Sequence, residues 1–199
     1  DVDHASECRR VAHPDEVVFV SGGTEGDHLA LVGAIVEGGE PRSRVAISAI
    51  AHHAVHGAAE VLSERDVPID TLPVDRDGVL ELGPLDHLAP GTPLVSVMLA
   101  NNETGVIQPV ASAVERARRV GARLHCDAVQ AAGKITVDFR ALGVDYLALS
   151  GHKLGGPKGA GALVVRRGAA LAPLFRGSAQ EHGRRGGTEN VPGIIGLGV

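Results

Sequence analysis

The run Pro93-Leu-Val-Ser-Val-Met-Leu99 carries one small hydroxyl among apolar side chains and so presents no face to water. A strand of this kind needs cover on both sides, which a parallel sheet between two helix layers supplies. Six further short runs fit the same sheet: Glu16–Val20, Arg44–Ser48, Val67–Val74, Arg123–Asp127, Gly143–Ser150 and Gly161–Val165. Between them lie stretches with helical spacing, among them the run holding Leu29, Ala30, Leu31, Ala34 and Ile35, and Val110–Val120 with its arginine-rich outer face. Strands and helices alternate except near residues 145–165. Right-handed crossovers then predict an α/β fold, a three-layer αβα sandwich around a mainly parallel seven-stranded sheet. Gly161–Val165 is the candidate edge strand, residues 1–12 read as the end of a helix, and Val191–Val199 begins an apolar one. No tandem repeat or low-complexity linker divides the 199 residues, so one domain is expected.

Composition narrows the function. The net charge is −5 and the aromatics are only Phe19, Phe139, Tyr146 and Phe175, which leaves a nucleic-acid partner without electrostatic or stacking support. No apolar run approaches the ~20 residues of a membrane span, and no signal peptide opens the chain. Cys8 and Cys126 are too few for a disulfide framework, and neither stands in a metal-ligand spacing. A reducing cytoplasm is the expected home.

Polar residues gather where the strands end. Ser150-Gly151-His152-Lys153 follows the buried run Tyr146–Leu149, and Lys153 is one of only three lysines, with Lys134 and Lys158. An ammonium beside a buried strand end is costly to desolvate. That cost becomes useful where a neutral amine must attack an aldehyde and form a Schiff base. A solvated lysine on a strand-end loop is the other reading, and the stretch alone leaves both open. Ser150 and His152 are natural donors to a phosphate.

Ser21-Gly-Gly-Thr24 between a strand and a helix outlines a phosphate cradle at the positive end of the helix dipole, although many such turns are glycine-rich for packing alone. His52, His53 and His56 suggest metal, but no acidic third ligand accompanies them. An imidazole lying flat on a planar cofactor fits His52 better, and a surface histidine at a helix start remains open. Asn101-Asn102-Glu103 ends the central strand where open α/β sheets place ligands, or is simply a polar turn. Asp127 ends another strand, and a buried carboxylate there needs a partner such as a protonated heterocyclic nitrogen. Thr188 alone among the selected residues falls away from a strand's carboxyl end.

The ordered set SGGTEG, HHAV, NNETG, HCDAVQ, SGHKLGGPKG and RRGGTEN resembles the cysteine desulfurases, the NifS/IscS-like branch of the class V aminotransferases. The resemblance runs over essentially the whole chain. It implies a pyridoxal 5′-phosphate (PLP) enzyme of fold type I, a homodimer that releases sulfur from L-cysteine and leaves alanine. Carried over by residue, it makes Lys153 the lysine joined to the cofactor, Asp127 the partner of the ring nitrogen and His52 the stacking imidazole. Gln130 and Asn102 take the phenolic-oxygen side, while Gly23, Thr24, Ser150 and His152 take the phosphate. Thr188 is implied to reach the phosphate of the partner subunit's cofactor.

The chain departs from the family pattern at Ala51, where Glu is usual, and at Val129, where a small hydroxyl residue is common. Family members are about twice as long, so residues 1–199 are expected to be the PLP-binding large domain, truncated at both ends and without the carboxyl-terminal small domain. That domain carries the nucleophilic cysteine and the substrate-carboxylate arginine, and neither Cys8 nor Cys126 is assigned the role. An iron–sulfur scaffold or other sulfur-acceptor protein is the implied partner. A selenocysteine lyase or other class V lyase shares the lysine and cradle, and a truncated, non-catalytic PLP-binding protein is the reading from another class.

Overall fold

The computed structural model describes residues 12–38 and 44–199. The helix end expected over residues 1–12, and Cys8 within it, lie outside the described residues apart from Ala12. Seven strands form one sheet: β1 (Val17–Val20), β2 (Val45–Ser48), β3 (Ile69–Leu72), β4 (Leu94–Met98), β5 (Arg123–Asp127), β6 (Tyr146–Ser150) and β7 (Gly161–Val165). Their order is β1-β7-β6-β5-β4-β2-β3, and every pairing except those of β7 is parallel. The helices are α1 (Gly23–Gly38), α2 (His53–Ser63), α3 (Val110–Arg119), α4 (Phe139–Leu142) and α5 (Val191–Leu197). Among the described residues no helix is long and apolar enough to cross a membrane.

The three layers follow from the strand period of two. Val45, Ile47, Leu94, Tyr146, Ala148 and Leu163 face one core with Leu29, Leu31 and Ile35 of α1 and Val55, Ala58 and Leu62 of α2. Their neighbours Ala46, Val95, Val97, Leu124, Leu147 and Val164 face the other, with Val110, Ala113 and Val114 of α3 and Phe139 of α4. Both faces of each central strand are therefore covered, as the run Pro93–Leu99 requires. Val67–Val74 shortens to Ile69–Leu72 because Pro68 and Pro73 bracket it and neither has an N–H for the ladder.

β7 is not the edge strand that its place in the sequence suggested. It lies between β6 and β1, antiparallel to both, with all five residues buried, and the edges are β1 and β3. The connection from β6 contains only short turns and no crossover helix, so the chain must run back beside β6. β1 then pairs with its outer side, Val20 opposite Gly161. A Cβ on Gly161 would lie 2.7 Å from the Cα of Gly22, so glycine is what lets the two strand ends pass.

Candidate functional site

The carboxyl ends of β4, β5 and β6 open into a cavity of about 260 Å³ between them and the amino-terminal ends of α1 and α2. Its walls hold Gly23, Thr24, His52, Asn102, Asp127, Gln130, Ser150, His152 and Lys153, together with Asp27, Met98 and Val129. Nine of the ten site residues expected from the sequence thus share one space.

One end of the cavity is built for an anion. The first helical bond of α1 runs from the Gly26 N–H to the Gly22 carbonyl at 3.1 Å, which leaves the amides of Gly23 and Thr24 without intrahelical partners. The helix dipole adds positive potential at the same place. Ser150, the buried last residue of β6, sets its hydroxyl 2.9 Å from Nδ1 of His152. Gly23 has no room for a side chain, because a Cβ there would meet Cγ2 of Val129 at 2.7 Å.

The floor is acidic. His125 and Asp127, two residues apart on β5, face α1, while Cys126 between them packs in the opposite core. Asp127 accepts a bond from the Val129 N–H at 2.9 Å and is only 6% exposed. Burial, and then the nearby Asp27, push its carboxyl up to about 6. Cys126 is fully buried, and burial holds its thiol well above the usual range.

Below Asp127 lies a pair that the sequence reading missed. Asp27 of α1 is 1% exposed, and burial pushes it up to about 8. Its Oδ1 is 3.3 Å from Nε2 of the fully buried His125, yet neither atom closes a hydrogen bond in that geometry. Nδ1 of His125 is 2.9 Å from the Ser96 hydroxyl on β4. Burial pushes His125 down to about 4, against the pull of Asp127. The signal was available: Asp27 stands three residues after Thr24 on one helix face, and His125 two residues before Asp127 on one strand face.

The rim is open. His52 is the N-cap of α2, its Nδ1 accepting from the Ala54 N–H at 3.1 Å, and it is exposed. His56 does not line the cavity, and the described residues contain no cluster of three His, Cys, Asp or Glu suited to a metal ion. Of Asn101-Asn102-Glu103, only Asn102 reaches the cavity. Asn101 instead holds the turn, its Oδ1 accepting from the N–H groups of Glu103 and Thr104, each at 2.9 Å. Gln130 accepts from Nζ of Lys134 at 2.8 Å.

Lys153 ends the 3₁₀ turn Gly151–Lys153 directly after β6 and is the only lysine lining the cavity. It is exposed, so the desolvation suggested by its place after a buried strand is not present, because the turn lifts it to the rim. Lys158 does not line this cavity. It does line an adjoining cleft that shares Gly23, Thr24, Ser150 and His152. Thr188 stands apart, on a cleft with Arg185, Glu189, Asn190 and Gly159.

Free amides at a helix start, a buried carboxyl on the floor and an amine at the rim suit a phosphorylated, cationic heterocycle bearing an aldehyde, which is what pyridoxal phosphate is. Comparison with known proteins agrees. A cysteine desulfurase of Gluconacetobacter diazotrophicus is 48% identical over 186 residues, 92% of this chain and 46% of the relative. Cysteine desulfurase IscS of Methanosarcina thermophila is 43% identical over 94% of this chain and 46% of its own. The chain therefore spans about half the length of the curated relatives it matches.

Among solved structures, a NifS-like protein superposes with a TM-score of 0.91 at 37% identity, over 96% of this chain and 54% of that one. A structure described as SspA in complex with cysteine gives 0.89 at 35% identity, over 94% and 55%. The family model for class-V aminotransferases matches residues 6–199. The chain belongs to the class-V aminotransferases, a pyridoxal phosphate-dependent family.

Proposed function

We propose that residues 1–199 form the cofactor-binding large domain of a cysteine desulfurase, which takes sulfur from L-cysteine and leaves L-alanine. The observation that carries this reading is the single cavity in which Lys153 is the only lysine and Asp127 the buried floor. The relatives named cysteine desulfurase, and the neighbour described as bound to cysteine, favour L-cysteine over selenocysteine.

Each residue has a task that its surroundings suit. The amides of Gly23 and Thr24, the Thr24 hydroxyl, Ser150 and His152 would hold the phosphate. Asp127 would hold a proton on the ring nitrogen, His52 would cover a ring face, and Asn102 and Gln130 would address the phenolic oxygen. When bound, the cofactor supplies an electron sink for bond changes at the substrate's α-carbon. Nζ of Lys153 would hold the cofactor through its aldehyde carbon and would stand as the base for the substrate's α-proton.

Cys126 is not the thiolate that receives sulfur, since it is buried in the opposite core with its thiol held protonated. Thr188 lies outside its own cavity, which supports its serving a second copy. An isologous dimer would then carry two composite sites. A sulfur-acceptor protein, such as an iron–sulfur scaffold, and a reducing cytoplasm complete the proposal.

Titration of PLP into the chain tests it. A visible absorption band should form, shift on addition of L-cysteine, and be absent from Lys153→Ala. Identical spectra for the two proteins would reject the reading.

A further inference from the structure

The mechanism above leaves one buried acid–base pair without a task. Asp27 lines the cavity from α1, yet its Oδ1 has no hydrogen-bond partner, and 3.3 Å away Nε2 of His125 also has none. Two orphaned polar atoms face to face inside a core are costly unless a proton lies between them. Charging both is a poor solution at zero exposure, because desolvation of each ion must be offset. A single proton on Asp27 would satisfy both atoms once Oδ1 moves into line with the ring nitrogen: the carboxylic acid donates to Nε2, and His125 then carries its own proton on Nδ1 and donates it to Ser96 Oγ, 2.9 Å away.

We propose that Asp27 is a protonated carboxylic acid held by His125, and that this neutral pair keeps Asp127 the only anion on the cavity floor, reserved for a cationic ring nitrogen. Asp27 is thus a positioning residue that acts through its neighbours. Its consequence for the cofactor rests on the assignment of Asp127 to the ring nitrogen, but the proton's location does not. The electrostatics agree in direction: burial raises Asp27 and lowers His125, so both are neutral together near pH 7. Asp27 is itself among the groups that raise Asp127, so an ionised Asp27 would put a second charge against the first. The other ionisable groups facing this space are His52 at the start of α2, and His152 and Lys153 after β6, while the Cys126 thiol on β5 points into the opposite core.

The apoprotein decides the proton's position. In nitrogen-15 NMR, His125 is the only buried histidine among the described residues and should appear as a neutral ring protonated on Nδ1 at pH 7. This needs no variant. The infrared spectrum should show a protonated-carboxyl band that Asp27→Asn removes, while the amide of that variant keeps a donor to Nε2 and preserves the His125 tautomer. An imidazolium at His125, or a spectrum in which the substitution removes no such band, overturns the proposal.

With PLP added, the pH profile of binding should show an inflection near pH 8 that Asp27→Asn lacks. The same inflection in both proteins also overturns the proposal. If PLP does not bind at all, the cofactor reading fails and the apoprotein result alone decides this one.

Discussion

Arg185 grips Glu25 with two nitrogens, Nε to Oε1 at 2.8 Å and Nη2 to Oε2 at 3.3 Å. Glu25 is in the first turn of α1, and Arg185 opens the segment that carries Thr188, so the contact ties two distant motifs together. Burial is the largest influence on Glu25 and pushes it up, but the bonds from Arg185 and Ser21 prevail and hold it below the usual carboxylate range. Arg185→Ala should cost about 1.5–3 kcal/mol at pH 7, and Arg185→Lys should recover only part because it lacks the fork. Because the folded value is depressed, the contribution is present above pH 4.5 and is lost as pH falls through that folded value. Urea unfolding at pH 7 and pH 3 measures this, and an equal loss at both would contradict the ion pair.

Borohydride reduction of the PLP-treated chain, followed by peptide mapping, should place the pyridoxyl label on Lys153. Lys158 is the competitor, since it lines the adjoining cleft with the same phosphate donors, whereas Lys134 is tied to Gln130. Lys153→Ala should lose the label altogether. A label that moves to Lys158 in the unaltered protein would reject the site.

Gly23 and Val129 should be thermodynamically coupled. Gly23→Ala drives a methyl to 2.7 Å from Val129 Cγ2, and overpacking of this kind costs about 1–3 kcal/mol. Val129→Ala removes the obstructing methyl groups, so the double variant should regain most of the loss in a double-mutant cycle. Additive losses would show that the methyl escapes by another route.

Stability of the apoprotein should fall between pH 6.5 and pH 8. Asp27 is raised from 3.8 to about 8 in the folded chain, so its contribution is full at low pH and is lost as pH rises toward that value. His125, lowered from 6.5 to about 4, acts with the opposite sign but only below pH 6.5. Above that point Asp27 acts alone, with a slope approaching about 1.4 kcal/mol per pH unit. Chemical unfolding across the window should show the decline, and Asp27→Asn should flatten it. A decline that survives the substitution would assign it to another group.

The sheet was legible because its central strands are apolar on both faces, and the cavity because each polar cluster followed one of those strands. What failed was where neighbours decide. Gly161–Val165 reads as an edge because the sequence shows that it turns back, but not that Val17–Val20 returns to cover it. The sequence left Lys153 open between a desolvated and a solvated position, because Tyr146–Leu149 is buried but three residues of 3₁₀ turn are enough to carry it to the rim. Asp27 and His125 went unread because each looks ordinary within its own element, a polar residue on a helix and one on a strand. Only the packing of α1 across β5 makes them a pair.

The antiparallel return of β7 also fixes an order of events during synthesis. Among the seven described strands, β1 comes first in sequence and pairs only with β7, which comes last. Until Gly161–Val165 emerges, Val17–Val20 lacks its one partner strand among the seven described, and the turn at Gly22–Thr24 is held near Ser150 through α1 and not through β1. The pairing of β1 with β7 beside the anion cradle is therefore among the last in the sheet to be completed, and it spans nearly the whole sheet's sequence. Such long-range closure is slow. A nascent chain released before β7 would keep Val17–Val20 without its partner strand, exposed to chaperones and to aggregation.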